Sequence, residues 1–598
     1  MMHTAERPYT SKPNTAALAA KLRFKVLGWF AGRRGGLLIA TLGLLLTLPA
    51  LRLGLMTDDW GFAPRFQRGE GPLVVYSITN QELTSGKERG WYPWWTSPNL
   101  QLRFLRPLSA LSHELDFRLW PHAVWAMHLS NGVLYALIVL LAFWSYREIL
   151  PAQPLVAALA ALMFAIDDGH ATAAGWIACR SGLLSSVFAL SSVLLYMRAR
   201  RRTAADSGAR TIWLRLATTG CFALALGAAE AGLSTLAYLV AYAVTFEAGS
   251  LVRRVARLLP EFVVCAVWAF IYMSGHYGAH GVSMYRELTS PLAVLGQGVL
   301  DLPAWLFILL GPSLVDSAVL QSLLLSRGVA ALLCLPLMAA LYVAVPRTKQ
   351  QGFFALGALL CLPPLFTTLP QSRLLIMASF GAFGVVSSFL TAVAQQLRAP
   401  RWLRATRGVM ITLHLVLAPL LFVPALGQLK LLDRPVLAFL SALPEAPPRH
   451  VVLLNSPFEL LNLYAWQRLV AEPARKLPDT FAELYAGGST LSVRRIDSRS
   501  LELRPDQGWG RLAIERMLSK LKDMPQAGTH IAISAMEVIV ETSSLDGRPA
   551  RVLFRFPAPL EDSEWLFFAW RGARPAPWHP PAVGQEVVLP PLSLTQLF

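Results

Sequence analysis

The chain has 598 residues, 54% of them hydrophobic and only 15% charged, with a mean hydropathy of +0.46. That balance excludes an ordinary soluble protein and predicts a polytopic α-helical membrane protein. The formal net charge of +18 is not the footprint of a nucleic-acid binder. The basic residues gather in short loops between apolar runs, and no soluble segment interleaves them with aromatics. The lipid bilayer, and not nucleic acid, is therefore the expected partner. The five cysteines (Cys179, Cys221, Cys265, Cys334 and Cys361) lie in or beside apolar runs without metal-ligand spacing. They read as buried thiols.

Residues 1–35 carry seven Lys or Arg against the single acid Glu6, which predicts a cytoplasmic N-terminal segment. An apolar run from Gly36 to Met56 follows, with no clean cleavage site after it, and reads as an uncleaved first span. Thr57-Asp58-Asp59-Trp60 comes next. Two adjacent carboxylates at a span exit either mark where the helix leaves the bilayer or face a water-filled cavity. Residues 57–122 form a long outer loop whose aromatics, Trp91, Tyr92, Trp94, Trp95 and Trp120, suit a membrane interface.

Further spans are expected near 123–144, up to 166, 183–197, on both sides of Glu230, and at 260–273. Four more are expected near 328–345, 353–369, 374–394 and 409–427. Arg198, Arg200, Arg201 and Arg202 place one end of the bundle inside. Residues 295–326 are apolar but broken by Pro303, Pro312, Asp301 and Asp316. Charge bias reads them as re-entrant, interfacial or a hairpin of two short spans, which leaves about eleven spans with the N-terminus in and the C-terminus out.

Residues 36–428 thus read as a membrane domain, and 429–598 as a soluble outer domain, α/β and mostly β toward its end. Val451–Asn455 reads as a strand. Ser456-Pro457-Phe458-Glu459 looks like a capping box that opens a helix to about Glu472. Strands are expected at 490–496, 530–542, 552–556 and 564–571, with a turn at Asp546-Gly547.

This topology puts the polar motifs on one side. Arg106-Pro107-Leu108 lies in the outer loop. His128 and Asn131, three residues apart, share a helix face at the outer end of the second span. Asp167-Asp168-Gly169-His170, Trp176 and Arg180 join the third and fourth spans, Glu230 separates the fifth and sixth, and Gln371-Ser372-Arg373 opens a late span. Taken singly, these groups read as helix ends, interhelical hydrogen bonds or snorkelling arginines. Taken together, they share one leaflet.

In this order the motifs resemble the GT-C class of membrane glycosyltransferases. More closely, they resemble the membrane domain of the tetratricopeptide-repeat O-mannosyltransferases and their bacterial relatives. The resemblance covers roughly residues 37–394 and rests on Asp58-Asp59, Phe104-Leu105-Arg106-Pro107-Leu108, His128 with Asn131, and His170 with Trp176, Arg180 and Leu183-Leu184-Ser185-Ser186. Glu230 without the family's preceding Lys, and Arg373 without its acidic neighbour, complete it. No tetratricopeptide repeats follow.

The resemblance implies transfer of a sugar from a polyprenyl-phosphate carrier to a hydroxyl of a glycan, lipid or protein acceptor on the outer face, with inversion. Asp58 or Asp59 would be the base that an acceptor hydroxyl needs. Arg373, Arg180 and Arg106 would bind the donor phosphate. His128, Asn131, His170 and Glu230 would orient substrate or those arginines. A single-phosphate donor needs little charge neutralisation, so no metal or other cofactor is expected. The Ala-, Leu-, Arg- and Pro-rich composition suits a bacterial inner membrane, with the site facing the periplasm. Two other readings stay open: a transporter or flippase for a lipid-linked glycan, which would need broken helices and midplane polar groups, and an inactive scaffold whose outer domain binds a partner.

Overall fold

The computed structural model describes residues 32–67, 69, 71–202, 208–287, 290–312, 327–472 and 476–592. Residues 1–31 of the basic segment, and 313–326 of the broken apolar stretch, lie outside them. The protein is a polytopic α-helical membrane protein with a β-rich C-terminal region. Among the described residues, seven helices are long and apolar enough to cross a bilayer, or nine if each of two bent pairs counts as one span. The bent pairs are Pro154–Ile166 with Asp168–Gly175, at 47°, and Pro291–Leu300 with Leu302–Leu310, at 53°. Shorter apolar helices cover Glu230–Phe246, Leu259–Ser274 and Gly328–Ala344. Every stretch expected to span carries a helix.

Small residues let the bundle close. In the helix Ile376–Gln395, a Cβ on Gly381 would lie 2.3 Å from the Phe354 carbonyl oxygen, and one on Gly384 would meet the Phe354 ring at 2.5 Å. That helix is almost wholly inside the bundle, whereas Phe270, Leu332 and Tyr342 on other helices turn outward, as lipid-facing residues do. The arginine-rich end is tied by buried Glu247. It accepts from Tyr196 at 2.6 Å and from Arg257 at 2.5 Å, and it pairs with Arg200 at 2.8 Å. The acidic end is tied by strand β1 (Gln101–Arg103), antiparallel to β2 (Gly278–His280), which joins two connecting loops.

The C-terminal region builds two sheets from β3 (His450–Leu453), β4 (Thr480–Glu483), β5 (Leu491–Arg495), β6 (Ser500–Pro505), β7 (His530–Ile533), β8 (Met536–Ser543), β9 (Pro549–Arg555), β10 (Trp565–Arg571), β11 (Arg574–Pro577) and β12 (Glu586–Leu589). One sheet has the order β11-β10-β3-β4, with β3 parallel to both β10 and β4. The other is antiparallel, β12-β5-β6-β9-β8-β7. The expected strand 530–542 is a hairpin of two. The Asp546-Gly547 turn is present, with Gly547 at φ 84° and its N–H on Ser544 O.

Two expectations change. Ser456 and Glu459 form no capping box. The Ser456 hydroxyl bonds Phe458 O and Glu483, while buried Glu459 accepts from Trp95 Nε1 at 2.8 Å and from the Leu518 N–H at 2.9 Å. The helix therefore starts later, at Leu461, without a side-chain cap, and ends at Ala471. Nor do the outer-loop aromatics lie free at a membrane surface. Trp94 and Trp95 enter the core between the two sheets, where Trp94 Nε1 donates to Leu484 O at 3.1 Å. Trp91 stacks on Trp466 with ring centroids 4.0 Å apart. An indole that is both large and a donor gains more in a protein core with a waiting acceptor than at an interface.

The outer loop and the C-terminal region therefore pack as one body. Their closest backbone approach is at Gly90, φ 79°, where the Phe481 N–H donates to Arg89 O at 2.8 Å. A Cβ on Gly90 would fall 1.7 Å from Phe481 O. Gly90→Ala combines that clash with a left-handed backbone and should cost at least about 3 kcal/mol. Thermal unfolding of the purified protein measures it; an unchanged melting temperature would show that this approach is not kept.

Candidate active site

After the first span the chain passes through the 3-10 turn Leu48–Arg52 and reaches Thr57, which takes φ 43°. A β-branched residue in the left-handed region is strained, by about 1–3 kcal/mol. The turn sends the next two side chains in opposite directions. Asp59 turns inward and is wholly buried. Its Oδ2 accepts the Met56 N–H at 3.0 Å and its Oδ1 accepts the Ala178 N–H at 2.8 Å. Asp58 turns outward and is exposed. Its Oδ1 accepts from the Tyr464 hydroxyl at 3.1 Å.

Burial pushes the Asp59 carboxyl up to about 8. The two backbone bonds oppose this, and the charges of Asp58 and Asp433 add to it. Asp58 is also raised by the protein around it, against the Tyr464 hydrogen bond and the charge of Arg373. Solvent reaches Asp58 while protein crowds it from further out. Both are true of a residue that lines a concavity.

The three arginines expected at a phosphate are in different situations. Arg373 is half-buried, stacks over Trp176 at 4.8 Å, and has no ion-pair partner among the described residues. Arg106 is tied to Glu230, with Nε to Oε2 at 2.8 Å, and packs over Phe104 at 4.4 Å. Arg180 departs from expectation. It is 1% exposed, pairs with Asp116, and donates to Asn131 Oδ1 at 2.8 Å and to Met127 O at 2.9 Å. Its donors are consumed inside the protein, so it braces the second and fourth spans and does not face a ligand.

The orienting residues divide in the same way. Asn131 is buried, donating to Trp176 O at 3.0 Å and accepting from Arg180. His128 is buried with Nε2 3.0 Å from Gly54 O. His170 is buried within the bundle, with Nε2 2.7 Å from the Ser379 hydroxyl and Nδ1 3.0 Å from Phe164 O. These three are buried and hydrogen-bonded within the protein. Glu230 is half-exposed beside Arg106. Tyr285 of a later loop stands among Arg106, Arg373, Glu230 and Asp58, whose charges all act on its hydroxyl. The structure thus gathers Asp58, Arg373, the Arg106–Glu230 pair and Tyr285, and sets Arg180, His128, Asn131 and His170 behind them.

Sequence reading missed Tyr464 and Asp433. Asp433, 3% exposed, pairs with Lys430 at 3.2 Å and has Oδ1 3.5 Å from the Thr57 N–H. Tyr464 lies 406 residues from Asp58. Its only sequence signal is helical spacing: Tyr464 and Arg468, four apart, share a face, and Arg468 covers the Trp60 ring at 4.5 Å. No three His, Cys, Asp or Glu side chains converge among the described residues, and His170 stands apart from the acidic pair.

No protein-family model and no curated protein sequence matches the chain. Solved structures do match. The structure of ArnT from Cupriavidus metallidurans bound to undecaprenyl phosphate aligns over 75% of this chain and 89% of its own, at 12% identity and a TM-score of 0.38. An Archaeoglobus fulgidus oligosaccharyltransferase aligns over 74% and 62%, at 13% identity and a TM-score of 0.39. The mycobacterial arabinofuranosyltransferase AftD aligns over 90% of this chain and 41% of its own, at 15% identity and a TM-score of 0.35.

The opposed acids predict opposed phenotypes. The folded-state value of Asp59, about 8 against 3.8, means that the folded protein binds this proton more tightly than the unfolded chain does. The stability linked to it is fully present below the unfolded value and is lost as pH rises through about 8. Asp59→Asn should lower the melting temperature at pH 5, because its amide would face a backbone N–H, and should flatten the decline toward pH 8. Asp58→Asn should leave the melting temperature within about 2 °C of wild type. Melting curves from pH 5 to 9 decide it.

Proposed function

We propose that the protein is an inverting glycosyltransferase that moves a hexosyl unit from a polyprenyl-phosphate carrier to an acceptor hydroxyl. The order of motifs along the membrane domain supports the class. The observation that carries the reading is the proximity of a solvent-reaching carboxylate, Asp58, to Arg373, an arginine with no ion pair among the described residues. Asp59 is engaged by two backbone N–H groups, so Asp58 is the base.

An acceptor hydroxyl gives its proton to Asp58 as its oxygen forms a bond to the anomeric carbon. The bond from that carbon to the phosphate oxygen breaks, and its electron pair leaves with the polyprenyl phosphate. Attack from the face opposite the leaving group inverts the centre. Arg373 meets the charge that develops on the phosphate, and its planar fork matches two phosphate oxygens. Trp176 holds that fork from one face. Arg106, paired with Glu230, is placed to orient sugar or phosphate at the rim. The arginine-rich end supports an orientation with that end inside and Asp58 outside; in a bacterial inner membrane a glycan, lipid or protein acceptor would then arrive from the periplasm.

The bent pair at 47° is the feature that would favour a lipid-linked glycan transporter. His170 within that pair is closed by hydrogen bonds to the protein, so it offers no polar path across the bilayer. Movement of labelled carrier lipid between leaflets, without turnover, would move the assignment there.

Purified protein in lipid, given a panel of radiolabelled polyprenyl-phosphate sugars, tests the proposal. Asp58→Asn should lose at least about 10²-fold in transfer, and Arg373→Ala about 10²–10³-fold. Because Arg373 and a single donor phosphate balance the charge, a chelator should leave the rate unchanged. Full activity in Asp58→Asn removes the base.

The pH profile supplies a second test. Asp58 must be a carboxylate to act, and burial raises it above the ordinary value of about 3.9. The kcat/KM of the wild type should therefore fall on acidification with an apparent pKa above that of an ordinary aspartate, and the limb should disappear from whatever activity remains in Asp58→Asn.

A further inference from the structure

We propose that the C-terminal domain completes the active site, with Tyr464 as a positioning residue that holds the Asp58 carboxylate toward the acceptor hydroxyl. This rests on the reading of Asp58 as the base.

The Tyr464 hydroxyl donates to Asp58 Oδ1 at 3.1 Å, and no other hydrogen bond to the Asp58 carboxyl group is formed among the described residues. One oxygen is anchored and Oδ2 is left for the incoming proton. A carboxylate on a surface turn would otherwise rotate between rotamers, and a general base works only when fixed within hydrogen-bond reach of its proton.

Tyr464 is itself held. It is 7% exposed and packs in the core that Phe458, Leu461, Leu469 and Phe568 share with the domain's first sheet. Its helix, Leu461–Ala471, lies directly on the helix Asp59–Gln67 that begins with the acidic pair. Three contacts on that helix surround Tyr464. Trp466 stacks on Trp91 at 4.0 Å, Arg468 covers Trp60 at 4.5 Å, and a Cβ on Gly61 would come 3.1 Å from Gln467 Nε2. The hydroxyl thus reaches Asp58 only because the whole domain is docked, through Trp94 and Trp95, onto the loop that carries Asp58.

Several ionisable or charged groups surround the carboxyl. Tyr464 comes from the C-terminal helix, Arg373 from the turn before a late span, and Asp59 from its own helix; Tyr285 comes from a later loop and Cys179 from the turn before the fourth span. Of these, the hydrogen bond from Tyr464 and the charge of Arg373 favour the carboxylate. Removing the hydroxyl while keeping the ring should therefore make Asp58 hold its proton more tightly, so that less of it is ionised on the acid side.

The experiment is the kcat/KM–pH profile of Tyr464→Phe beside wild type, Asp58→Asn and Arg468→Ala. Arg468 sits on the same helix without touching Asp58, so Arg468→Ala perturbs docking alone. In Tyr464→Phe the acid limb should move to higher pH by about one unit, a tenfold loss on the acid side that is recovered in alkali. The KM for the lipid donor should stay unchanged, since the donor phosphate belongs to Arg373. Arg468→Ala should leave the limb in place. If Asp58→Asn is inactive and the limb of Tyr464→Phe does not move, or moves equally in Arg468→Ala, Tyr464 is only structural and this inference fails alone. If Asp58→Asn is active, the base assignment fails and takes this inference with it.

Discussion

The acidic end depends on one buried carboxyl group. Asp59 receives the Met56 N–H past the first span and the Ala178 N–H in the first turn of the fourth. At either place a backbone donor has no partner within the helix and is costly to bury. One side chain thereby fixes two chain segments that lie 119 residues apart. With Asp59 held, the strained Thr57 turn has one direction to go, and Asp58 is carried to the opening. Strain at Thr57 persists because this pair of bonds and the neighbouring Asp433 over-determine the turn.

The same logic explains why the C-terminal domain is not a separate module. In an open sheet with parallel strands, the carboxyl ends of those strands are where ligands usually sit. Here β10, β3 and β4 run parallel, and at or just past their ends lie Asn455, Ser456, Glu483 and Leu484. Trp94 and Trp509 both donate to Leu484 O, at 3.1 and 2.9 Å, and Trp95 donates to Glu459. The protein's own indoles fill that space. The domain's surface toward the membrane region is therefore the loop that carries Asp58, and the helix Leu461–Ala471 is the face it presents there.

What the sequence made legible, and what it did not, follows from the range of the interactions. Spans are visible because lipid demands long apolar runs, and each predicted stretch carries a helix. Strands β5, β8 and β9 are visible because inward and outward residues alternate, as Leu491, Val493 and Arg495 do in being buried, whereas β6 (Ser500–Pro505) is not among the expected strands. The Ser456–Glu459 signature misled because it is a local code, and a buried indole 364 residues away took the glutamate. Asp58 and Asp59 are indistinguishable as letters. Their division is made by one backbone angle and by N–H groups that only the fold brings near. Tyr464 was invisible for the same reason.

The arginines carry this argument furthest. Arg180 and Arg373 both follow a motif, both sit at the acidic end, and both suit a phosphate on paper. The difference is Asp116. Set on the outer-loop helix Pro107–Leu119, it pairs with Arg180, while Asn131 and the Met127 carbonyl take further N–H groups. A buried guanidinium so occupied cannot turn to a ligand without leaving Asp116 as an unpaired buried charge, a loss of about 3–5 kcal/mol. Arg373 has the opposite situation. An aromatic face supports it, the charge of Asp58 is near, and no carboxylate closes on it among the described residues. Its donors are free for an anion. Placing one fully paired arginine behind one unpaired arginine lets the wall stay rigid while the opening keeps a cation available.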